Sequence, residues 1–135
     1  MLRQLDDRVS VTGQVRPEEV AELAAQGITM IVNNRPDFEE PDQPMASEVG
    51  AAAKAAGIAY RHIPIIRGIG PADAEEMHDA LAEAGDGKVL AFCRSGNRSA
   101  LIWAVASCHA GRARDEVEKA VEGAGFNIAP IAHLL

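Results

Sequence analysis

Residues 88–106 constrain the fold more strongly than any other stretch of the chain. The short apolar run Lys88-Val89-Leu90-Ala91-Phe92 is typical of a buried strand, and it leads directly into the loop Cys93-Arg94-Ser95-Gly96-Asn97-Arg98. Residues 100–106 are apolar on nearly every face, as in a helix packed inside a domain. This succession predicts an α/β domain whose candidate site is the loop, because ligands of such domains bind beyond the carboxyl ends of the strands.

The remaining sequence alternates between strand-like and helix-like segments. β-branched or alternating patterns predict strands over residues 8–13, 28–34 and 58–65. Helical spacing and terminal glycines predict helices over residues 18–26, 46–56, 72–84, 98–108 and 113–124. This alternation favours one α/β domain over residues 1–135, with a central, mostly parallel sheet flanked by helices.

Composition excludes several classes of function. The chain carries 13 Lys and Arg against 20 Asp and Glu, a net charge of −7, so it would repel the phosphate backbone of a nucleic acid. Its first residues lack the apolar core of a signal peptide, and no apolar run approaches the roughly 20 residues of a membrane span. We therefore expect a cytoplasmic protein that binds neither nucleic acid nor membrane. No metal or cofactor is predicted, because metal-ligand spacing is missing from the histidines His62, His78, His109 and His133.

Cys93 is the predicted nucleophile. Backbone N–H groups of the loop, the positive end of the following helix and the charges of Arg94 and Arg98 all favour its thiolate over the thiol. Gly96 permits backbone torsions that a side chain would forbid, and Arg98 is able to bind two oxygens of a tetrahedral anion at once. Cys108 lies ten positions beyond Arg98 on the same predicted helix, about 15 Å along its axis, and is expected to be a buried structural thiol.

Several motifs along the chain together resemble a known family. They are Val11-Thr12-Gly13-Gln14 followed by Pro17-Glu18-Glu19, then Asn33-Asn34-Arg35-Pro36, Tyr60-Arg61-His62-Ile63-Pro64-Ile65 and Cys93-Arg94-Ser95-Gly96-Asn97-Arg98-Ser99. The family they are similar to is the bacterial phosphatase-like domain of β-lactamase-hydrolase-like proteins. It is also described as a family of sulfur transferases, and it occurs alone or fused to a metallo-hydrolase domain that looks like a persulfide dioxygenase. The resemblance implies the dual-specificity protein phosphatase fold, with a sheet of four or five strands flanked by helices.

The loop and its surroundings depart from the phosphatase pattern in three ways. That pattern is His-Cys, five residues and Arg, whereas Phe92 precedes the cysteine here and four residues separate Cys93 from Arg98, which resembles the shorter rhodanese loop. Arg67 stands where dual-specificity phosphatases usually have an aspartate that protonates the leaving group. Without such an acid, expulsion of an alkoxide is slower by roughly 100- to 10,000-fold. Asp73 is the nearest downstream carboxylate that could replace it.

Three functions remain open at this stage. The leading hypothesis is a sulfurtransferase that forms a persulfide on Cys93 from a small anionic donor such as thiosulfate and passes the sulfur to a thiol acceptor, with a persulfide dioxygenase as a candidate partner. The alternative is a phosphatase acting through a phosphocysteine intermediate, and the third is a module that only binds a phosphorylated or sulfated ligand.

All three hypotheses share one candidate site. Cys93 and Arg98 are the candidate catalytic residues, and the anion-binding candidates are Arg94, Ser95, Gly96, Asn97, Ser99, Arg67 and Arg35. Ser99 matches the hydroxyl residue that follows the arginine in the phosphatase pattern. For Arg35 a second interpretation is equally good, namely a turn charge paired with Asp37.

Overall fold

The computed structural model describes residues 2–135, which form five strands, five α-helices and two 3-10 helices. The strands are β1 (Arg3–Gln4), β2 (Val9–Thr12), β3 (Ile28–Asn33), β4 (Ala59–His62) and β5 (Lys88–Phe92). The α-helices are α1 (Val20–Ala25), α2 (Ala46–Ala55), α3 (Pro71–Ala84), α4 (Asn97–His109) and α5 (Arg114–Gly123), and the 3-10 helices are Pro17–Glu19 and Ala129–Leu134. None of the helices within residues 2–135 is long and apolar enough to cross a membrane.

The sheet has the strand order β1-β2-β5-β3-β4. β1 runs antiparallel to β2, while β2, β5, β3 and β4 are mutually parallel. The expected mostly parallel sheet of four or five strands, flanked by helices, is therefore confirmed. β1 was not predicted, since two exposed residues carry no periodic pattern.

Alternation along the central strand divides the core between the two faces of the sheet. Val89 and Ala91 of β5 belong to the larger apolar cluster, which includes residues of α3, α4 and α5. Leu90 and Phe92 belong to the smaller cluster, which includes residues of α1 and α2. Burial of β5 on both faces explains its continuous apolar sequence.

The parallel strands end at the same level. Phe92 of β5 is in register with Thr12 of β2 and with Asn33 of β3, and Asn33 is in register with His62 of β4. The segments that follow these strands therefore leave the sheet side by side. Beyond β4 the chain stays attached to β3, because the N–H groups of Ile63 and Ile65 donate to the carbonyls of Asn33 and Asn34 at 2.8 and 3.0 Å.

Candidate active site

Cys93 directly follows β5, and its loop leads into α4. Gly96 has φ +93° and ψ −13°, the left-handed region that favours glycine, and its N–H donates to the Sγ of Cys93 at 3.1 Å. A Cβ at Gly96 would also lie 3.2 Å from the ring of Phe126. Cys93 has 0% of its surface exposed, so a reactant reaches Sγ only after side chains around the loop shift.

The loop packs closely on the end of β2. The N–H of Cys93 donates to the carbonyl of Thr12 at 3.4 Å. A Cβ placed on Gly13 would lie 2.9 Å from the carbonyl oxygen of Arg94, closer than real Cβ atoms approach an oxygen. Only glycine fits at position 13 without a shift, because any Cβ there would clash with the loop backbone that packs against the end of β2.

The guanidinium of Arg98 is fixed by two groups from other segments. Nη1 donates to Glu39 Oε2 at 2.7 Å and to the carbonyl of Ile65 at 3.0 Å, and Nη2 donates to Glu39 Oε1 at 2.9 Å. The Glu39 carboxylate raises the pKa of Arg98. Nearby Cys93 also raises the pKa of Arg98. Within residues 2–135 the Nε–H and the second N–H of Nη2 donate to no oxygen, and together they form one edge that suits two oxygens of an anion.

Arg35 is buried, with 3% of its side chain exposed. It donates from Nε to Glu39 at 2.9 Å, from Nη2 to Glu40 at 2.7 Å and from Nη1 to Gln14 at 2.9 Å. The proposed pairing with Asp37 is wrong, because the Asp37 carboxylate accepts from the N–H of Ala46 at the start of α2. With all three nitrogens engaged inside the protein, Arg35 supports the carboxylates rather than presenting an open anion contact.

The other loop side chains lie at the surface. Arg94 is exposed and its Nε lies 3.5 Å from Glu40, while Ser95 and Asn97 are exposed beside it. The Oγ of Ser95 accepts from the N–H of Asn97 at 3.4 Å. These residues form the outer rim of the loop. They lie near Cys93, but their side chains face solvent.

Ser99 is buried behind the loop, and its predicted role in anion binding is wrong in this structure. Its hydroxyl donates to Asn34 Oδ1 at 2.8 Å, and the amide of Asn34 donates to the carbonyl of Ile63 at 3.0 Å. The N–H of Asn34 also donates to the carbonyl of Phe92 at 2.7 Å. Ser99 therefore ties α4 to the ends of β3 and β5, which stabilises the base of the site.

Arg67 and Asp73 lie outside the loop but share a cleft with Arg98. The cleft has a volume of about 810 Å³ and lies between residues 65–73, the start of α4 and the C-terminal 3-10 helix. Asp73 accepts from the N–H of Gly70 at 2.8 Å, as a residue in the first turn of α3 is expected to do. Arg67 is exposed at the edge of the cleft.

Sequence reasoning missed Glu39, which joins Arg35 to Arg98. The Arg98 guanidinium, assisted by Arg35, lowers the pKa of Glu39 from 4.5 to about 2 even though burial acts in the opposite direction. The available signal was the acidic segment that follows β3 at the carboxyl edge of the sheet, which includes Glu39 and Glu40. In the described part of the chain, no group of three or more His, Cys, Asp or Glu side chains is placed to hold a metal ion.

The expected burial of Cys108 is also wrong. Cys108 is partly exposed near the end of α4, whereas Cys93 is completely buried. The partial burial of Cys108 still raises the pKa of its thiol. The greater reactivity of Cys93 stays a prediction.

The family model described as "Beta-lactamase hydrolase-like protein, phosphatase-like domain" matches residues 1–110. The β-lactamase hydrolase-like protein of Xylella fastidiosa strain Temecula1 is 37% identical over 126 residues, which cover 92% of this chain. The protein of the same name from Agrobacterium fabrum is 34% identical over 130 residues, which cover 93% of it. The chain spans 29% of the length of each of these relatives.

Three solved structures share the fold of this chain. A Neisseria meningitidis protein described as a candidate phosphatase is 30% identical, with a TM-score of 0.79 over 98% of this chain and 94% of that chain. A similarly described protein of Shewanella putrefaciens is 18% identical, with a TM-score of 0.72 over 86% and 77%. Kinase associated phosphatase, 17% identical with a TM-score of 0.67 over 90% and 80%, shares the fold.

These relatives support a cysteine-dependent, phosphatase-like enzyme. Neither the family model nor any of the five proteins named in the two preceding paragraphs is described as a sulfurtransferase. Sulfur transfer, the leading hypothesis from the sequence, is therefore less well supported than its phosphatase alternative.

We predict that Glu39→Gln lowers the free energy of unfolding at pH 7 by roughly 1–3 kcal/mol, because it removes a charged partner from Arg35 and Arg98. A carboxylate whose pKa falls from 4.5 to about 2 on folding stabilises the protein above pH 4.5, and this stabilisation is lost as the pH falls towards 2. The difference between wild type and variant should therefore shrink over that range, as measured by urea denaturation at a series of pH values.

The matched control is Glu18→Gln, which removes a surface ion pair with Arg16 at 3.1 Å. Its effect should stay below about 1 kcal/mol at pH 7. Equal losses of unfolding free energy in the two variants would contradict the contact of Glu39 with Arg35 and Arg98. A gap between wild type and Glu39→Gln that widens as the pH falls would contradict it as well.

We also predict that Gly13→Ala disturbs the loop more than the fold. The added Cβ meets the carbonyl of Arg94 at 2.9 Å, so the loop backbone must move while the strands keep their pairing. Amide chemical shifts of residues 93–98 should change in an NMR spectrum while those of α2 do not. Gly123→Ala, where no atom lies within 4 Å of the added Cβ, is the control. Unchanged loop resonances in Gly13→Ala would count against the close packing.

Proposed function

The chain belongs to the family of phosphatase-like domains of β-lactamase hydrolase-like proteins, and we propose that it cleaves phosphate monoesters through a phosphocysteine intermediate. One observation carries the proposal. Cys93 lies at the base of a loop that begins α4, and Arg98 is fixed by Glu39 and Ile65 with one edge of its guanidinium still able to donate. This arrangement combines a nucleophile with a rigid binding group for a tetrahedral dianion.

In the first step the Cys93 thiolate attacks phosphorus. The S–P bond forms while the P–O bond to the leaving group breaks, and the electron pair leaves with that oxygen. The Nε and Nη2 edge of Arg98 binds two non-bridging oxygens, and backbone N–H groups of the loop favour the remaining negative charge. Since Cys93 is completely buried, substrate binding must first displace side chains around the loop.

In the second step water attacks the phosphocysteine. A P–O bond forms to the water oxygen while the S–P bond breaks, the electron pair returns to sulfur as the thiolate, and phosphate leaves as dihydrogen phosphate with both protons of the water. Arg98 keeps the same contacts throughout, because Glu39 and the Ile65 carbonyl hold its other edge. The chemistry of both steps requires no group beyond the protein, the ester and water.

Protonation of the leaving oxygen decides which esters are good substrates. Arg67 is a guanidinium at the position where the phosphatase pattern has a carboxylic acid, and the carboxylate of Asp73 accepts from the N–H of Gly70. Both side chains line the cleft beside Arg98. Esters whose leaving group is stable as an anion, such as activated aryl phosphates, are therefore the favoured class.

Sulfur transfer is the second candidate, favoured by the four-residue spacing between Cys93 and Arg98. In this reaction the thiolate attacks a sulfane sulfur, sulfite leaves with the electron pair, and the persulfide passes its outer sulfur to a thiol acceptor. The donor would be thiosulfate or a persulfide, and a persulfide dioxygenase would be a suitable partner. The following experiment separates the two candidates.

We predict that the protein hydrolyses 4-nitrophenyl phosphate and that Cys93→Ser lowers kcat by on the order of a thousand-fold or more, because the attacking thiolate is lost. Cys108→Ser is the control and should keep full activity, since Cys108 lies near the far end of α4. Acid quenching during turnover should trap a protein heavier by about 80 mass units, as one phosphoryl group requires.

Thiosulfate provides the opposing measurement. A gain of about 32 mass units on Cys93, removable by a thiol, together with no Cys93-dependent phosphate release, would replace phosphoryl transfer with sulfur transfer. Phosphate binding that survives Cys93→Ser, with no turnover and no mass gain in wild type, would instead identify a module that only binds.

A further prediction concerns the leaving group. Activated aryl phosphates should be cleaved at least about 100-fold faster than alkyl phosphates, because no proton donor assists the leaving oxygen. Arg67→Asp should narrow this ratio by assisting alkyl esters, while Arg114→Asp on α5 makes the same charge change away from the cleft and should not. Efficient alkyl ester cleavage by wild type, lost in Asp73→Asn, would show that Asp73 is the acid.

A further inference from the structure

The cleft beside Arg98 is lined mainly by apolar side chains. Ile66 and Ile69 come from the segment after β4, Leu101 from α4, and Ile131 and Leu134 from the C-terminal 3-10 helix. Its volume of about 810 Å³ lies within the ordinary range for small-molecule sites. Its charged and polar lining comes from Arg67, Asp73, His133 and Arg98, and Arg98 also belongs to the Cys93 loop.

Ile66 is unusually exposed for its position. It is 75% exposed, although Ile65 on one side is buried and Arg67 on the other is charged. A single exposed apolar side chain is ordinary on a protein surface. Ile66 differs because it continues the apolar lining of the cleft, and because the carbonyl of the preceding residue holds Arg98.

We propose that this cleft binds the organic group of the substrate, and that this group is apolar and of aryl size or larger. The inference rests on the proposed function, because it places the phosphate at Cys93 and Arg98 and directs the rest of the ester along the cleft. An apolar group would cover Ile66 and pack on Ile69, Leu101 and Leu134, which removes apolar surface from water. Charge complementarity fixes the orientation, since Arg98 attracts the phosphate end.

Arg67 offers a competing interpretation. Its guanidinium at the edge of the cleft would also suit a substrate with a second anionic group. The apolar occupant is favoured because Ile66, which is 75% exposed, and the partly exposed Ile69 and Leu134 present apolar surface to the cleft. A second anion would leave these side chains uncovered.

Calorimetric binding of non-hydrolysable phosphonates to the wild-type chain tests the proposal. Affinity should rise from methylphosphonate to phenylphosphonate to 1-naphthylphosphonate, with roughly a ten-fold gain for the second ring. Binding of the aryl compounds should also show a negative heat-capacity change, the sign of apolar burial. Inorganic phosphate measures the anion site alone.

Variants locate the apolar contact. Ile66→Ser should weaken 1-naphthylphosphonate binding roughly three- to ten-fold and leave inorganic phosphate binding unchanged. Leu2→Ser replaces another exposed apolar residue, which is 41% exposed and lies outside the cleft. It should change neither 1-naphthylphosphonate binding nor inorganic phosphate binding. Leu134→Ser should act like Ile66→Ser from the opposite wall.

Different failures have different meanings. Phosphate binding without any preference for aryl phosphonates would overturn the cleft proposal and leave the proposed function intact. Aryl preference that depends on Ile66, without Cys93-dependent turnover, would uphold the cleft and overturn phosphatase action. Tighter binding of 3-phosphonopropionate than of propylphosphonate, lost in Arg67→Gln, would replace the apolar occupant with a second anion.

Discussion

The site depends on the ionic contact of Glu39 with both Arg35 and Arg98. A buried guanidinium such as that of Arg35 is tolerated only when its charge is paired and its N–H groups are bonded. Glu39 meets that requirement and at the same time fixes Arg98. One carboxylate therefore links the end of β3 to the loop after β5, and the geometry of the anion-binding arginine depends on a segment that contains no part of the loop motif.

This linkage also sets the local charge. The overall charge of the chain is −7, yet Arg35, Arg94 and Arg98 stand against Glu39 and Glu40 around the loop. Each of the three guanidinium groups pairs with at least one of these two carboxylates, which reduces the repulsion between them. Because Arg98 keeps an open edge and backbone N–H groups of the loop point to the same place, we expect the site to bind an anion despite the negative charge of the whole chain.

The sequence predicted those features that follow from periodic patterns. The strand β5, the helix boundaries at glycines and the parallel sheet depend on local signals, and they lie within a few residues of their expected positions. Glu39 was missed because the segment after β3 has no periodic pattern. Its sequence therefore does not indicate which of its acidic side chains contacts an arginine. Ser99 was misjudged because α4 is buried on all sides, and its pattern does not reveal which residue faces the loop and which faces Asn34.

Arg98 lies between the nucleophile loop and the cleft where we place the organic group of the substrate. Its Nη1 donates both to Glu39 and to the carbonyl of Ile65, and the next residue, Ile66, lines the cleft where we place the organic group. The contact that orients the guanidinium and the side chain that would meet the organic group are therefore adjacent in the chain. Gly68, with φ +118°, gives this segment a backbone conformation that other residues rarely adopt. A substrate that fills the cleft would hold its phosphorus in position for attack by Cys93, whereas inorganic phosphate would gain only the contacts of the loop and Arg98.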